Sequence, residues 1–116
     1  MTTALPGGLT ANLPAGIYAL RVEDDSFQDA NLNAGDVAIV RRLDECENGD
    51  LVLIHVKSLD KTVIRRYFLE NGKIKLFAEN MCVLPLFCDP ADVTVQGKVV
   101  ATIHNAPGLP VSEAVG

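Results

Sequence analysis

Apolar and polar residues alternate in short runs through the middle of the chain. These runs are rich in Val, Ile, Leu and Thr, as is typical of strands that bury one face. The pairs Gly35-Asp36, Gly49-Asp50 and Asn71-Gly72 separate successive runs and favour tight turns. The pattern predicts strands over residues 17–22, 37–42, 51–57, 62–69, 73–77, 83–87 and 93–104.

Two residues interrupt these runs in an informative way. Pro85 restricts the run over 83–87 to an edge strand or a loop, because proline cannot donate to a ladder. Gly97 predicts a bulge or a bend within the last run. Only residues 27–31 have the pattern of a helical turn. The sequence therefore predicts a small, mainly β domain of about seven short strands with at most one or two helical turns.

The two ends of the chain have no apolar period. Residues 1–16 are rich in Gly and Pro, and we expect a flexible arm or the remnant of a linker there. Residues 105–116 are expected to form a flexible tail. The folded unit is expected over residues 17–104, and a chain of 116 residues has room for one core only.

Composition narrows the function classes. The chain is 48% hydrophobic, which is enough to build a core and excludes intrinsic disorder. Its formal net charge of −5 argues against a domain that grips the phosphate backbone by itself. If the protein contacts DNA, we expect another segment to do so.

Targeting and redox signals are weak. No apolar run approaches the ~20 residues that a membrane span requires, and the first residues lack a secretory pattern. The three cysteines, Cys46, Cys82 and Cys88, have neither CxxC nor CxxH spacing, which argues against a disulfide framework or a zinc site. We therefore expect a cytoplasmic protein without a cofactor or a metal ion.

Candidate chemistry is concentrated where the first predicted strand ends. Ser26 follows two carboxylates, Asp24 and Asp25, and precedes the possible helical turn. Free backbone N–H groups at such a turn are donors for an oxyanion. A serine at a helix start is more often an N-cap, so both roles remain open on the residues alone.

The order of several segments along the chain resembles one family. The chain is similar to the carboxy-terminal domain of LexA-type repressors and of UmuD, which are self-cleaving serine peptidases sharing a distant fold with signal peptidases. The matching segments, in order, are ALRVEDDSF, LNAGDVAIV, ENGDLVLIHV, TVIRR, LFAEN and VTVQGKVVATI. Together they cover most of the predicted folded unit.

The resemblance implies a serine–lysine dyad. In such a dyad, a lysine whose pKa is lowered by burial takes the proton of the serine, which then attacks a peptide bond of the same polypeptide. Ser26 matches the nucleophile. The lysine matches position 64, which is Ile64 here and has no proton acceptor. The resemblance therefore implies a degenerate peptidase that keeps Ser26 as a vestigial nucleophile.

Neighbouring residues offer poor substitutes for the missing lysine. Lys61 lies at an odd offset from position 64, which directs it to the opposite face of a strand. Arg65 and Arg66 carry guanidinium groups, which are not bases near neutral pH. His55 could act only if the fold brings it beside Ser26, and an ordinary strand histidine is the favoured interpretation.

The last strand is the candidate dimer element, again by resemblance. The proposed interface consists of Val99, Val100, Ala101, Thr102, Ile103 and His104. A strand with few charges and a free edge can pair across a two-fold axis. The alternative is that its Val and Ile side chains belong to the core.

Three functions follow as hypotheses. The first is the dimerisation and regulatory domain of a bacterial LexA-like repressor in the SOS response that has lost autoproteolysis. This function requires an upstream helix-turn-helix domain that the chain does not contain, and a RecA-type filament is a potential partner. The second is a stand-alone UmuD-like partner of a translesion polymerase. The third is an active serine self-peptidase that uses another base.

Overall fold

A computed structural model of the chain describes residues 2–4, 10–12, 15–23, 27–80, 82–104 and 113–115, the segments 2–4, 10–12 and 113–115 by their backbone. Three short 3₁₀ helices occur within this part, at Gln28–Ala30, Lys57–Leu59 and Pro90–Asp92. The strands are β1 (Thr2–Ala4), β2 (Thr10–Asn12), β3 (Ile17–Val22), β4 (Val37–Arg42), β5 (Leu51–Val56), β6 (Lys61–Glu70), β7 (Lys73–Phe77), β8 (Leu86–Cys88), β9 (Val93–Ile103) and β10 (Glu113–Val115).

Eight of these strands form one sheet in the order β10-β3-β4-β9-β5-β6-β7-β8. Neighbours within the sheet are antiparallel except β10 and β3, which are parallel. β1 and β2 form a separate antiparallel pair. The prediction of a mainly β domain is confirmed. The described residues include no helix long and apolar enough to cross a membrane.

β9 joins the two halves of the sheet. Its second half pairs with β4 and its first half pairs with β5. The register shifts leave Val100 unpaired against β4 and Gln96 unpaired against β5, so a bulge lies on each side of Gly97. A Cβ at Gly97 would lie 2.5 Å from Val40 Cγ1 and 2.7 Å from the Arg41 carbonyl oxygen. The close approach of β4 to β9 therefore requires a glycine at this position.

The strands separate two main apolar clusters. Alternation along β5 places Leu53 in the first cluster and Ile54 in the second, and along β6 it places Ile64 in the first and Val63 in the second. The first cluster contains Tyr18, Leu20, Val22, Phe27, Ala30, Leu32, Ala38, Val40, Leu53, Ile64 and Val99. The second contains Val52, Ile54, Val56, Val63, Ile74, Leu76 and Cys88.

A buried ion pair holds the 3₁₀ helix at Gln28–Ala30 against β6. Arg65 is 6% exposed and donates from Nε and Nη2 to Asp29 Oδ2, at 3.0 and 2.9 Å. Its Nη1 donates to the carbonyl oxygens of Leu84, at 3.1 Å, and Leu76, at 3.4 Å. The Asn80 N–H donates to the Asp29 carbonyl oxygen at 2.9 Å. One guanidinium thus links four segments of the chain.

The structure shows three local features that the sequence pattern does not predict. The edge strand begins at Leu86 instead of residue 83, because Pro85 offers no N–H to a ladder. The arm expected over 1–16 contains β1 and β2, and the tail expected over 105–116 contains β10. A strand of three residues is too short to show an apolar period in the sequence.

We expect the substitution Gly97→Ala to destabilise the fold by about 1–3 kcal/mol, because the added methyl group meets the Arg41 backbone. Urea denaturation measures this change. Gln96→Ala, at an exposed neighbouring position, should change the free energy of unfolding by less than about 0.5 kcal/mol. Equal effects at both positions would contradict the close approach.

Removing one partner of the buried Arg65–Asp29 pair should lower the free energy of unfolding more than replacing both partners with apolar residues. Arg65→Ala leaves Asp29 buried without a countercharge, and we expect a loss of about 3–5 kcal/mol in the free energy of unfolding. The double variant Arg65→Met/Asp29→Leu should recover most of that loss. Arg66→Ala, which breaks the more exposed pair with Glu79, should cost about 1 kcal/mol or less. Additive losses in the double variant would refute the coupling.

Candidate functional site

Ile64 lies in the first core cluster. It is fully buried in β6, directly opposite Leu53 of β5. The same cluster contains Phe27, the residue that follows Ser26 in the chain. Ser26 itself, with Asp24 and Asp25, lies outside the described residues. The side chain of position 64 is therefore packed where the chain enters and leaves the segment that carries Ser26.

The two sides of that segment are anchored by backbone hydrogen bonds. Before it, the Val22 N–H donates to the Asp36 carbonyl oxygen at 2.9 Å, and the Gly35 N–H donates to the Val22 carbonyl oxygen at 2.8 Å. After it, the Phe27 carbonyl oxygen accepts from the N–H groups of Ala30, at 2.9 Å, and Leu32, at 3.1 Å. The Gly35-Asp36 turn thus fixes the end of β3 from which the Ser26 segment departs.

Position 64 offers no proton acceptor. A general base needs a lone pair within hydrogen-bond reach of the nucleophile. The aliphatic side chain of Ile64 has none, and its complete burial fills the volume with apolar atoms. The site therefore packs like a core position.

The basic neighbours of Ile64 are engaged elsewhere. Lys61 pairs with Val56 across the ladder and is exposed. Arg65 is bound to Asp29 and to two carbonyl oxygens, as described above. Arg66 forms an ion pair with Glu79 and donates to the Gly49 carbonyl oxygen at 2.9 Å. The Arg65 and Arg66 side chains thus stabilise the sheet and its turns.

His55 shares the sheet face of Ile64. It lies opposite Thr62, two ladder positions beyond the Leu53–Ile64 pair and therefore on the same side of β5 and β6. Its Nδ1 is 3.1 Å from Thr62 Oγ1, and its Nε2 is 3.6 Å from Asp60 Oδ1. The imidazole is 29% exposed. The fold thus places the imidazole on the same sheet face as Ile64, where it is hydrogen-bonded to Thr62.

The candidate interface residues differ in burial. Val99 packs in the first core cluster, whereas Val100 is 50% and Ile103 41% exposed. Ala101, Thr102 and His104 are exposed as well. The pairing of β5 with β9 ends at Lys98, so the remainder of β9 is paired only on its β4 side within the described chain.

The carboxylates of the two Gly-Asp turns are tied to basic residues at β9. Asp36 Oδ2 accepts from the Asn33 N–H at 2.9 Å and lies 3.0 Å from His104 Nδ1. Asp50 Oδ2 accepts from the Glu47 N–H at 2.9 Å, and Asp50 Oδ1 lies 3.2 Å from Lys98 Nζ. The Glu47 N–H contributes most to holding the pKa of the Asp50 carboxyl below its usual range, and Lys98 adds to this effect.

The three cysteines are free thiols. Burial raises the pKa of the Cys46 and Cys88 thiols, which keeps them protonated and poorly nucleophilic at neutral pH. Cys82 is exposed. Cys46 lines a shallow cleft of about 390 Å³ whose other walls include Asp50 and Lys98. No group of His, Cys, Asp and Glu suited to hold a metal ion occurs among the described residues.

Sequence reasoning missed Asp29. It lies three residues after Ser26 and carries a buried Oδ1 without a hydrogen-bond partner, while its Oδ2 accepts from Arg65. Two features of the sequence could have indicated it: Asp29 closely follows the candidate nucleophile, and Arg65 is adjacent to position 64. Their pairing was not predicted because the two residues are 36 positions apart in the chain.

Comparison with known proteins supports one family. A family profile described as Peptidase S24-like matches residues 3–100. The chain is 36% identical over 103 residues to the LexA repressor of Halalkalibacterium halodurans, covering 86% of this chain and 47% of that protein. It is 35% identical over 104 residues to the LexA repressor of Caldicellulosiruptor saccharolyticus, covering 90% and 48%.

A third relative, the LexA repressor of Roseiflexus sp., is 29% identical over 89 residues, covering 77% of this chain and 41% of that protein. The chain spans less than half the length of each of these three relatives. The chain thus belongs to the Peptidase S24-like family and has LexA repressors as homologues across its folded domain.

Proposed function

We propose that this chain is the dimerisation and regulatory domain of a LexA-like transcriptional repressor, and that the domain has lost autoproteolysis. The observation that carries the second part is Ile64, an aliphatic residue fully buried in the core at the position that matches the dyad lysine. Without a base, the Ser26 hydroxyl stays protonated and is a weak nucleophile.

Loss of the base has a large expected effect on rate. Removal of a general base typically costs ~10²–10⁴ in rate. Asp24 and Asp25 precede Ser26 directly, and their negative charge would oppose the alkoxide and the oxyanion of the reaction. The proposal therefore assigns the domain a binding role.

The net charge of −5 supports the proposal that a domain other than this one contacts DNA. The proposal places DNA contacts in an upstream helix-turn-helix domain outside this chain, since the LexA relatives are more than twice as long as the part matched here. A dimer of this domain would then set the distance between two helix-turn-helix domains bound to two half-sites.

The second half of β9 supports self-association. Its edge opposite β4 is unpaired beyond Lys98 within the described chain, and Val100 and Ile103 expose apolar side chains beside it. An antiparallel pairing of this edge with its counterpart would satisfy the free backbone groups and bury both side chains.

The test of lost autoproteolysis is incubation of the purified chain at alkaline pH, followed by mass spectrometry and by labelling with a fluorophosphonate probe. We expect the wild type to match Ser26→Ala, with no cleavage and no labelling. Ile64→Lys, with its fold checked by circular dichroism, should raise labelling of Ser26 by about 10²-fold or more.

Cleavage or labelling of the wild type that disappears in Ser26→Ala would overturn the loss of activity. In that event His55→Ala tests whether the imidazole on the same face has replaced the lysine. Retained labelling in His55→Ala would assign the proton transfer to another group.

Sedimentation equilibrium tests the dimer. We expect a dimer for the wild type and at least a ~10-fold weaker association for Val100→Asp and for Ile103→Asp, because each buries a charge at the apolar edge. Leu59→Asp, at a position 54% exposed beyond the far end of β5, should dimerise like the wild type. A wild-type monomer at tens of micromolar would exclude this interface.

A further inference from the structure

The outer edge of β3 is covered by the end of the chain. β10 runs parallel to β3, with Glu113 beside Leu20, Ala114 beside Arg21 and Val115 beside Val22. β4 occupies the other edge of β3. Without β10, β3 would be the terminal strand of the eight-stranded sheet.

This edge leads directly to the Ser26 segment. β3 ends at Val22, and Ser26 follows four residues later in the sequence. An extended peptide is commonly bound by addition to an open sheet edge, where main-chain hydrogen bonds supply the affinity. Since β4 fills the inner edge, only the outer edge of β3 is where a peptide could be added to this strand in this way.

Backbone directions at β3 define which groups face that edge. The N–H and the carbonyl of Val22 both bond the Gly35-Asp36 turn on the inner side. Backbone groups alternate along a strand, so those of Arg21 face outwards, to β10. In a parallel ladder centred on Arg21, we expect its N–H to donate to the Glu113 carbonyl oxygen and its carbonyl oxygen to accept from the Val115 N–H.

The chain's own tail can reach this position. β9 ends at Ile103, which pairs with Val37, and Val37 pairs with Arg21. β10 therefore begins at nearly the level where β9 ends, three strand spacings or ~14 Å away. Residues 104–112 can span up to ~30 Å, so an intramolecular connection is well within reach.

We propose that the outer edge of β3 is a peptide-binding edge and that the C-terminal segment of the same chain occupies it in place of an external peptide. The tail thereby excludes other extended segments from this edge of the strand that leads to the Ser26 segment. This proposal is independent of whether Ser26 retains activity, because it concerns occupancy of the edge. Because the tail is tethered, its effective concentration at this edge is of the order of millimolar. An external peptide of equal affinity must exceed that concentration to displace it.

Two proline substitutions in the full-length chain form a matched pair. Val115→Pro removes the N–H that faces Arg21, whereas Ala114→Pro removes an N–H that faces away from β3. Hydrogen exchange followed by NMR is read at two neighbouring amides. In Val115→Pro, the Arg21 amide should exchange at least ~10-fold faster, while the Val22 amide, held by Asp36, stays protected. Ala114→Pro should leave both amides as in the wild type.

Occupancy by an external peptide is tested with a synthetic peptide of residues 107–116. It should restore protection of the Arg21 amide in Val115→Pro and leave the wild-type spectrum unchanged below about 1 mM. Unaltered exchange of Arg21 in Val115→Pro, or failure of the peptide to restore protection, would overturn the proposal. Protection in the wild type that is lost on dilution would assign β10 to a second copy and would equally refute an intramolecular occupant.

Discussion

The fold depends on one strand, β9, that pairs with β5 on one edge and with β4 on the other. β9 pairs first with β5 and then with β4, and it pairs with both at Gly97 and Lys98, between the bulges at Gln96 and Val100. A glycine permits this because β4 passes so close that any side chain would contact the Arg41 backbone. Without the change of partner, the β3–β4 half and the β5–β8 half would be separate sheets with open edges. The same change leaves the second half of β9 with a free side, which is the surface on which the proposed dimer rests.

Much of this architecture follows from local sequence signals. Alternating apolar residues place β3 to β7 and β9 within a residue or two, and the pairs Gly35-Asp36, Gly49-Asp50 and Asn71-Gly72 form turns at their expected positions. The glycine of the last strand also predicts the irregularity found there. These features depend on neighbours in the sequence, which is why pattern analysis can find them.

Other features depend on contacts between distant segments. The pairing of Asp29 with Arg65 joins residues that no local pattern relates, and the pairing of Glu113–Val115 with β3 joins two segments about 90 residues apart. Position 64 shows the opposite case. The resemblance identifies the residue, and the structure shows how an aliphatic side chain there completes the core. Burial of such a side chain stabilises a fold by ~1.5–3 kcal/mol.

The two Gly-Asp turns are built alike. In each, the aspartate accepts a hydrogen bond from the N–H three residues earlier, and the glycine and aspartate backbones bond one residue of a neighbouring strand, Val22 in the first turn and Tyr67 in the second. The second turn has one addition, because Asn48 both accepts from the Leu69 N–H and donates to its carbonyl oxygen. The turn at 47–50 therefore repeats these hydrogen bonds of the turn at 33–36 and adds two through the Asn48 side chain. The first turn has Ala34 at the equivalent position, so its sequence placed at 47–50 would leave the Leu69 backbone, in the strand that begins the β6–β7 hairpin, without this amide clamp.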